Sequence, residues 1–446
     1  MRRVCRPWGL PPSGHDPAHD MSREVSEPDS PACPNGAEPE PDPLLHPAEG
    51  VPPLTIFADE IDAAAERLAG GDGPFAVDAE RASGFRYSNR AYLIQIRRAG
   101  AGTILVDPVC GSGDPIAALR PLADVLATDE WILHSADQDL PCLAELGMRP
   151  PALYDTELAG RLAGYERVNL AAMVQRLLGL GLAKGHGAAD WSKRPLPPAL
   201  LNYAALDVEV LIDLRYAIAE VLADQGKTDW AAEEFEYLRT AEAAPPRQDP
   251  WRRTSGIHRV RNPRALAAVR ELWHTRDDIA RRRDIAPGRV LPDSAIIQAA
   301  TTDPKNVAEL TALPVFGGPR QRRTAETWLA ALGRAREKPY PAAGAEPPTG
   351  PPPVARWHKR KPEAAIRLQA ARSGLTELSE RVGVPTENLV APALVRRLCW
   401  EWDDAANTDA TVLDVLRAGG ARRWQLELAV PALASALSPT PAATGT

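Results

Sequence analysis

The sequence predicts an α/β layer domain followed by two smaller all-helical regions. Three observations support this fold class. Between residues 54 and 241, short apolar runs of strand length come first and then alternate with helical patterns, which is typical of layered α/β folds. Two Pro-rich segments, 242–255 and 338–355, divide the remainder of the chain into linkers and domains. The regions 256–337 and 356–437 show the apolar spacing of helices.

The two ends of the chain and its composition limit the class of protein. Residues 1–53 are rich in Pro, Ser, Glu, Asp and Gly, and 438–446 in Pro, Ala and Thr; both are predicted to be disordered, and Met21 is an alternative first residue. The five cysteines are scattered without a C-x-x-C pair, which predicts a cytoplasmic protein without disulfides. No apolar run approaches the roughly 18 residues that a membrane span needs. The start of the chain lacks the apolar segment of a secretory signal.

The α/β domain is predicted element by element from its apolar spacing. Helical spacing predicts a helix over 58–69, which the run Gly70-Gly71-Asp72-Gly73-Pro74 ends. Short apolar runs predict strands over 75–77, 90–98, 103–106 and 131–133. Further helices are predicted over 121–126, 139–146 and 200–214.

Two carboxylates follow the first predicted strand at a spacing that favours a metal site. Asp78 and Glu80 are two residues apart, so in a strand both side chains point to the same face. Adjacent carboxylates repel each other and resist burial unless a positive charge is near. No Lys or Arg lies between them, and a hard divalent cation such as Mg²⁺ prefers oxygen ligands. A solvated strand end followed by Arg81 is the alternative interpretation.

Two later places add candidate ligands. Asp139 lies at a predicted helix start, after the strand that ends at His134, whereas Asp137 is interpreted as a helix cap. His134 itself is interpreted as a structural or substrate-contacting residue. Tyr203 and Asp207 are four residues apart and share one face of the last predicted helix. An Asp on an apolar face is unfavourable unless it is paired or binds a metal; a surface carboxylate on a boundary helix is the alternative.

A polar, basic loop precedes that helix. It contains Lys184-Gly185-His186 and then Asp190-Trp191-Ser192-Lys193-Arg194-Pro195-Leu196. Lys and Arg suit phosphate contacts, and Trp offers a face on which a base can stack. A solvated loop is the alternative interpretation.

Taken together, these pieces resemble the ribonuclease D type of 3′→5′ exonuclease, in the superfamily named for four acidic residues and a tyrosine. The resemblance covers about residues 54–222, and the basic loop is similar to the family's connector. The three motifs are Asp78-x-Glu80 running on to Leu93-Ile94-Gln95-Ile96, His134 through Asp139-Leu140, and Tyr203-x-x-x-Asp207. A related type carries a His five residues before the last Asp; Asn202 occupies that place here, which favours the tyrosine type.

The resemblance implies a ribonuclease H-like fold, a mixed sheet flanked by helices, and a site for two Mg²⁺ or Mn²⁺ ions. The metal ligands that it implies are Asp78, Glu80, Asp139 and Asp207. Tyr203 would orient the attacking water. The residues expected to contact substrate are Gln95, His134, Lys184, Trp191 and Arg194.

The second half of the chain carries an excess of positive charge. Residues 251–340 contain 18 Lys and Arg against 9 Asp and Glu, a net charge of +9, whereas the whole chain has a net charge of −7. Such asymmetry is typical of a region that binds a polyanion, and a solvated basic surface is the alternative. Residues 264–332 resemble the HRDC domain, a small helical nucleic-acid-binding module. Its predicted helix starts are Asn262-Pro263, Asp293 and Asp303-Pro304.

The apolar pattern of 256–337 recurs 99 residues later, in 356–437. Ile285 corresponds to Val384, and Val290 corresponds to Leu389. This repetition predicts a second, diverged HRDC-like domain.

The sequence therefore predicts a metal-dependent 3′–5′ exoribonuclease. The resemblance implies that it trims the 3′ ends of tRNA precursors or other structured RNAs. We expect a monomer without membrane association. A DNA 3′–5′ exonuclease is the nearest alternative, because no residue identifies a contact to the 2′-hydroxyl group. A nucleic-acid-binding adaptor with a decayed nuclease fold is an alternative of a different class.

Overall fold

The computed structural model of the protein describes residues 41–109, 113–182, 185, 187–242, 247–337, 350–402 and 408–438. We divide these residues into an α/β region (41–242), a first helical module (247–337) and a second helical module (350–438). The disorder predicted for 1–40 and for most of 438–446 lies outside the described residues.

The α/β region is built on a mixed sheet. The strands of the protein are β1 (Asp42–Leu44), β2 (Leu54–Thr55), β3 (Asp72–Arg81), β4 (Ala91–Ala99), β5 (Gly102–Val106), β6 (Trp131–Leu133), β7 (Leu153–Asp155) and β8 (Leu180–Leu182). Six of them form one sheet in the order β2-β5-β4-β3-β6-β7. β4 is antiparallel to both of its neighbours, whereas β6 is parallel to β3 and to β7. The mixed sheet flanked by helices that was predicted is confirmed.

Helices cover both faces of this sheet. They are α1 (Ala58–Ala69), α2 (Pro115–Ala118), α3 (Arg120–Leu126), α4 (Leu140–Ala144), α5 (Thr156–Leu162), α6 (Leu170–Leu178), α7 (Pro198–Glu209), α8 (Leu211–Asp224) and α9 (Thr228–Thr240). The central strand β3 alternates as a buried strand should: Phe75 and Val77 face the core beneath α1 and α3, and Ala76 faces the core beneath α5 and α8. α7 packs separately across β3, β4 and β5.

The structure corrects the predicted extent of the disordered start. Residues 41–53 are described and make specific contacts, although 1–53 were predicted to be disordered. β1 pairs in parallel with β8, and His46 Nδ1 is hydrogen-bonded to Asn202 Oδ1 at 2.8 Å. The pairing partner lies about 140 residues away in sequence, so composition alone gave no sign of it.

The predicted helix over 200–214 consists of two helices. α7 ends at Glu209 and α8 begins at Leu211, with the chain bending at Val210. No Gly or Pro lies at this position to mark a helix end, and the apolar spacing continues across it, so the sequence predicted one helix. The bend follows from packing, because α7 lies across β3, β4 and β5 whereas α8 packs on β3, β6 and α5.

Both modules after the α/β region are all-helical. The first contains α10 (Pro263–Arg283), α11 (Pro287–Val290), α12 (Asp293–Thr302), α13 (Val307–Thr311), α14 (Pro319–Arg322) and α15 (Ala325–Glu337). The second contains α16 (Trp357–Arg360), α17 (Pro362–Val382), α18 (Thr386–Leu389), α19 (Pro392–Glu401), α20 (Thr408–Ala418) and α21 (Arg423–Leu437). α10 and α17 both have 21 residues and begin 99 positions apart, in agreement with the offset of the sequence pattern.

Two details of the first helical module differ from the sequence predictions. The linker predicted over 242–255 is shorter, because the Trp251 ring is fully buried in the core of this module. Asp303 was predicted to start a helix, but it ends α12 in the left-handed conformation; Asn306 caps the next helix, α13, instead. The prediction at Asn262 is confirmed, since its side chain accepts a hydrogen bond from the Arg264 N–H. Within the described ranges, none of the helices has both the length and the apolar character that crossing a bilayer requires.

Candidate active site

The strand β3 presents the first two acidic side chains. It is a strand because Phe75, Ala76 and Val77 are fully buried between the two helical layers. Asp78 and Glu80 follow at the period of the strand and therefore point to the same face. Glu80 is 8% exposed and Asp78 is half-buried, so both carboxyl groups are partly removed from solvent.

The helix α7 brings the second half of the site. Pro198 begins this helix, as is common at a first helical turn, and Tyr203 and Asp207 lie one turn apart on it. Their side chains are hydrogen-bonded to each other, with the phenol as donor. One oxygen each of Asp78, Glu80 and Asp207 lie within 4.8 Å of one another.

The fourth acidic residue comes from the loop after β6. Asp139 lies at the start of α4 and is 5% exposed. Its carboxyl group is hydrogen-bonded to that of Asp78 and lies 3.4 Å from Arg81 Nη2. Asp137, two residues earlier, is exposed. The structure thus brings all four predicted acidic residues and Tyr203 together.

Burial raises the pKa of every carboxyl group in this cluster. Desolvation, followed by repulsion from Asp78 and Asp207, raises the pKa of Glu80 to about 10. Desolvation is also the main cause that raises the pKa of Asp78, and it raises those of Asp139 and Asp207 well above their usual value. Such a cluster keeps protons until cations compensate its charge.

These residues fit divalent cations. Clustered carboxylate oxygens are the ligands that hard ions such as Mg²⁺ and Mn²⁺ prefer. The grouped oxygens of Asp78, Glu80 and Asp207 and the adjoining carboxyl of Asp139 supply that donor set. Burial, and repulsion between the carboxyl groups, raise these pKa values, and bound cations would supply the positive charge that the cluster lacks.

Tyr203 remains a neutral phenol beside the acidic residues. Desolvation, Asp207 and Glu80 raise its pKa above the usual value, so the hydroxyl group can donate a hydrogen bond but does not ionise near neutral pH. Gly185 of the predicted connector lies against this ring. A Cβ atom at Gly185 would be 2.1 Å from Tyr203 Cε2, so a larger residue there would displace the tyrosine.

A cavity of about 380 Å³ opens beside these groups. Its lining includes Asp78, His134, Asn169, Tyr203 and Asp207. His134 Nδ1 is 2.9 Å from Thr156 Oγ1, and burial lowers the pKa of His134 to about 4. The imidazole is therefore neutral at physiological pH and presents a polar but uncharged wall to the cavity.

Sequence reasoning missed Asp155, which orders the loop that carries Asp139. Its carboxylate is 3% exposed and accepts hydrogen bonds from four backbone N–H groups. Two come from the loop, Ser135 at 3.2 Å and Ala136 at 2.8 Å, and two from the first turn of α5, at 2.9 and 3.1 Å. Ser135 has a positive φ of 64°, which an L-residue adopts only where its surroundings impose it. An Asp directly before a helical pattern is a cap signal that could have identified this residue.

Three of the predicted substrate-contacting residues are buried or make contacts within the protein. Trp191 is fully buried, so the prediction that a base stacks on it is wrong. Arg194 donates to Asp107, at 2.8 Å from Nη2, and to the Tyr92 carbonyl at 2.7 Å; it stabilises the connector. Gln95 is also fully buried, opposite Asp78 on β4. His134 does line the cavity, and Lys184 lies outside the described residues.

Comparisons with family models cover most of the described chain. Residues 57–223 match a model described as 3′-5′ exonuclease. Residues 265–332 match the HRDC domain, and residues 350–437 match a model described as 3′ to 5′ exonuclease C-terminal domain.

Proteins named ribonuclease D are similar to this chain. The chain is 30% identical to ribonuclease D of Gluconacetobacter diazotrophicus over 295 residues, which are 65% of this chain and 73% of that protein. It is 30% identical to ribonuclease D of Bartonella henselae over 216 residues, 47% of this chain and 52% of that protein. The match thus spans about half of one relative and nearly three quarters of the other.

Solved structures share the fold. A protein from Bifidobacterium adolescentis is 36% identical, with a TM-score of 0.80 over 90% of this chain and all of that one. Escherichia coli RNase D is 24% identical, with a TM-score of 0.62 over 87% of this chain and 99% of that one; this likeness concerns the fold.

Proposed function

The chain belongs to the ribonuclease D family, and from this premise we propose that it is a metal-dependent 3′–5′ exoribonuclease. The proposed metal ligands are Asp78, Glu80, Asp139 and Asp207. Tyr203 is proposed to orient the attacking water, and His134 to line the pocket for the terminal nucleotide. The observation that carries the proposal is the clustering of four carboxyl groups, two buried and two half-buried, around one neutral phenol. Asp78, Asp207 and Tyr203 of this cluster line a cavity.

The chemistry requires charge compensation at a phosphodiester. Two divalent cations, when bound, lower the pKa of a water molecule and neutralise charge on the leaving 3′-oxygen. We propose that the four carboxylates fix these cations and that the Tyr203 hydroxyl group donates to the nucleophile. Water then replaces the 3′-oxygen at phosphorus, which yields a 5′-mononucleotide and an RNA shortened by one residue.

We further propose that the first helical module binds the body of the RNA. The first helical module lies in the segment with a net charge of +9, and phosphate neutralisation by such a surface provides affinity without sequence preference. E. coli RNase D is described as involved in structured RNA processing. By analogy, the proposed substrates are tRNA precursors and other stable RNAs. We also propose that the enzyme is monomeric and cytoplasmic. Its second helical module is proposed to be a diverged copy of the HRDC domain.

A 3′-end digestion assay tests the proposal. The full chain is incubated with a 5′-labelled structured RNA that carries a single-stranded 3′ end, with Mg²⁺, with Mn²⁺ or with EDTA. We expect stepwise shortening and mononucleotide release that EDTA abolishes. An RNA and a DNA of the same sequence, run in parallel, test the preference for RNA. Metal-independent activity, or faster digestion of DNA, would contradict the proposed chemistry or substrate.

A matched pair of variants tests the site. Asp139→Asn removes a proposed metal ligand, and we expect activity to fall by more than about 100-fold, since even indirect supports of metal ligands contribute 10- to 100-fold. Asp137→Asn makes the same chemical change at an exposed residue two positions away and should leave activity unchanged. If both variants digest RNA like the unchanged protein, the assignment of the site is wrong.

A further inference from the structure

A positively charged side chain, that of Arg81, lies beside the acidic residues of the site. Neither the sequence motifs nor the proposed chemistry assigns it a role. Arg81 is the last residue of β3, directly after Glu80. Its Nη2 lies 3.4 Å from Asp139 Oδ1 and 3.2 Å from Gln138 Oε1. Among the described residues, this is the one ion pair that involves any of the four acidic residues of the site. The Arg81 side chain is 22% exposed, so it borders the site and still reaches solvent.

Most hydrogen-bond donors of Arg81 are unused. A guanidinium has five N–H groups, and the contacts to Gln138 and Asp139 engage Nη2 alone. Its Nε–H is buried and has no hydrogen-bond partner among the described residues. A buried N–H without an acceptor is unfavourable, and where one persists in a folded protein a ligand or bound water commonly supplies the acceptor.

The geometry of these donors fits a phosphate. The Nε and Nη groups of an arginine form a planar fork that binds two oxygens of one phosphate. The present partner, Asp139, is a proposed metal ligand, so its oxygens would be shared with a cation in the loaded enzyme. The other partner, Gln138, is an exposed neutral side chain, so its hydrogen bond to the guanidinium is weaker than one to a charged oxygen. An arginine with free donors at the proposed site of phosphodiester cleavage therefore has an obvious acceptor in the substrate.

We propose that Arg81 is a substrate-binding residue that contacts the phosphate group of the 3′-terminal nucleotide. This inference rests on the proposed exoribonuclease function and extends it from the acidic residues to a basic one. The competing role is purely local: Arg81 would only neutralise the acidic residues and orient Asp139. The two roles differ in whether the phosphate of a bound nucleotide is recognised.

Binding of the product class separates these roles. We would measure the affinity of the full chain for AMP and for adenosine by calorimetry in saturating Mn²⁺, and the affinity for Mn²⁺ alone. Arg81→Met is expected to weaken AMP binding by about 10- to 100-fold, the range of a charge-assisted hydrogen bond, and to leave adenosine binding unchanged. Mn²⁺ affinity should be unchanged or higher, because a nearby positive charge has been removed. Arg81→Lys, which keeps the charge but not the fork, should be intermediate.

Controls make each outcome decisive. Arg120→Met removes an exposed arginine that pairs with Asp124 on α3, and it should bind AMP like the unchanged protein. If thermal unfolding shows that Arg81→Met does not fold, the AMP affinity of Arg81→Lys is compared with that of the unchanged protein instead. AMP affinity within twofold of the unchanged protein would overturn the proposal, as would a loss of Mn²⁺ affinity as large as the loss of AMP affinity. If the unchanged protein released no nucleotides from RNA, the proposed function itself would fail, which is a separate result.

Discussion

The two helical modules have similar helices but contact the α/β region in different ways. The long helix of each module, α10 or α17, ends at a residue with left-handed backbone, Asp284 with φ 46° and Gly383 with φ 60°. These residues are 99 positions apart, and each contacts the α/β region. The equivalent helix end in each module therefore contacts the α/β region, but at a different place on it.

The first helical module is joined by polar contacts. The Asp284 carboxylate accepts hydrogen bonds from Ser88 N at 2.8 Å, Tyr87 N at 3.2 Å and the Tyr92 hydroxyl at 3.3 Å. Arg289 donates to the Gly84 carbonyl at 2.7 Å. The buried residues of its hydrophobic core all belong to this module. The partly buried Tyr87 of the α/β region packs against that core.

The second helical module shares a core with the α/β region. One hydrophobic cluster contains Leu214 and Phe235 of the α/β region together with Trp424 and Leu433 of the module. Trp230 and Trp424 stack with ring centroids 5.0 Å apart. The second helical module is therefore an integral part of the α/β region, whereas the first is joined to it as a separable unit, the more mobile arrangement by default.

The largest expected effect comes from the ion pair within the shared core. Glu234 accepts from Arg422 Nε and Nη2, each at 2.7 Å, and from Trp424 Nε1 at 2.9 Å. Glu234→Ala leaves these donors unpaired, so we expect the free energy of unfolding in urea to fall by about 3 kcal/mol. Glu236→Ala on the same helix removes an exposed partner of Arg239 and should cost less than about 1 kcal/mol. Equal costs for the two variants would mean that the second helical module is not integral.

Metal binding should stabilise the α/β region and the second helical module together. At 100 times its Kd, a bound ion adds about 2.7 kcal/mol to the stability of the unit that binds it. We expect Mn²⁺ to slow hydrogen exchange in both of these parts and not in the first helical module. Protection that spread equally to the first module would show that all three parts unfold as one unit.

Without metal, the same unit should lose stability as the pH rises. The folded-state pKa of Glu80, about 10, lies above the unfolded value of 4.5, so the folded protein binds more protons throughout that interval. Stability therefore falls between about pH 5 and pH 10. Urea unfolding in EDTA at pH 6 and pH 9 measures this slope, and Glu80→Gln should flatten it. A slope of the opposite sign would contradict the assigned protonation.

Much of the site was predictable because it depends on local periodicity. The two-residue spacing of Asp78 and Glu80 and the one-turn spacing of Tyr203 and Asp207 place side chains on one face without knowledge of the fold. The grouping of Asp139 with them depended on the family resemblance. Its actual neighbour Arg81 was interpreted only as part of a solvated strand end.

The errors arose where tertiary contacts decide a side chain's role. Trp191 and Arg194 belong to a polar, basic stretch, which predicts exposure. The partner of Arg194 is Asp107, 87 positions away, and no local pattern reveals that pair. Asp155 carries a local helix-cap signal, but its link to the loop after β6 is a tertiary contact, since half of its hydrogen bonds cross to that loop.

A smaller effect is expected from separating the first helical module. Asp284→Gly removes the docking carboxylate, while Gly adopts the left-handed conformation without strain, as Gly383 already does. We expect faster hydrogen exchange in residues 82–92, equivalent to about 1–2 kcal/mol, and slower digestion of structured RNA, with dinucleotide hydrolysis unchanged. Asp303→Gly, at another left-handed helix end whose carboxylate pairs with Arg336 inside the module, is the matched control. If both variants behave alike, Asp284 does not dock the module.

The smallest expected effect tests whether the separable module is the one that binds RNA. Arg282 and Arg381 are equivalent positions near the ends of α10 and α17, and both are exposed. Residues 251–340 have a net charge of +9, so Arg282 contributes to a positive field that attracts phosphate. Arg282→Ala should weaken RNA binding by a few-fold and lower the slope of log affinity against log salt by about 1. Arg381→Ala should change neither, because the integral module serves the fold; a stronger effect at Arg381 would reverse the roles assigned to the two modules.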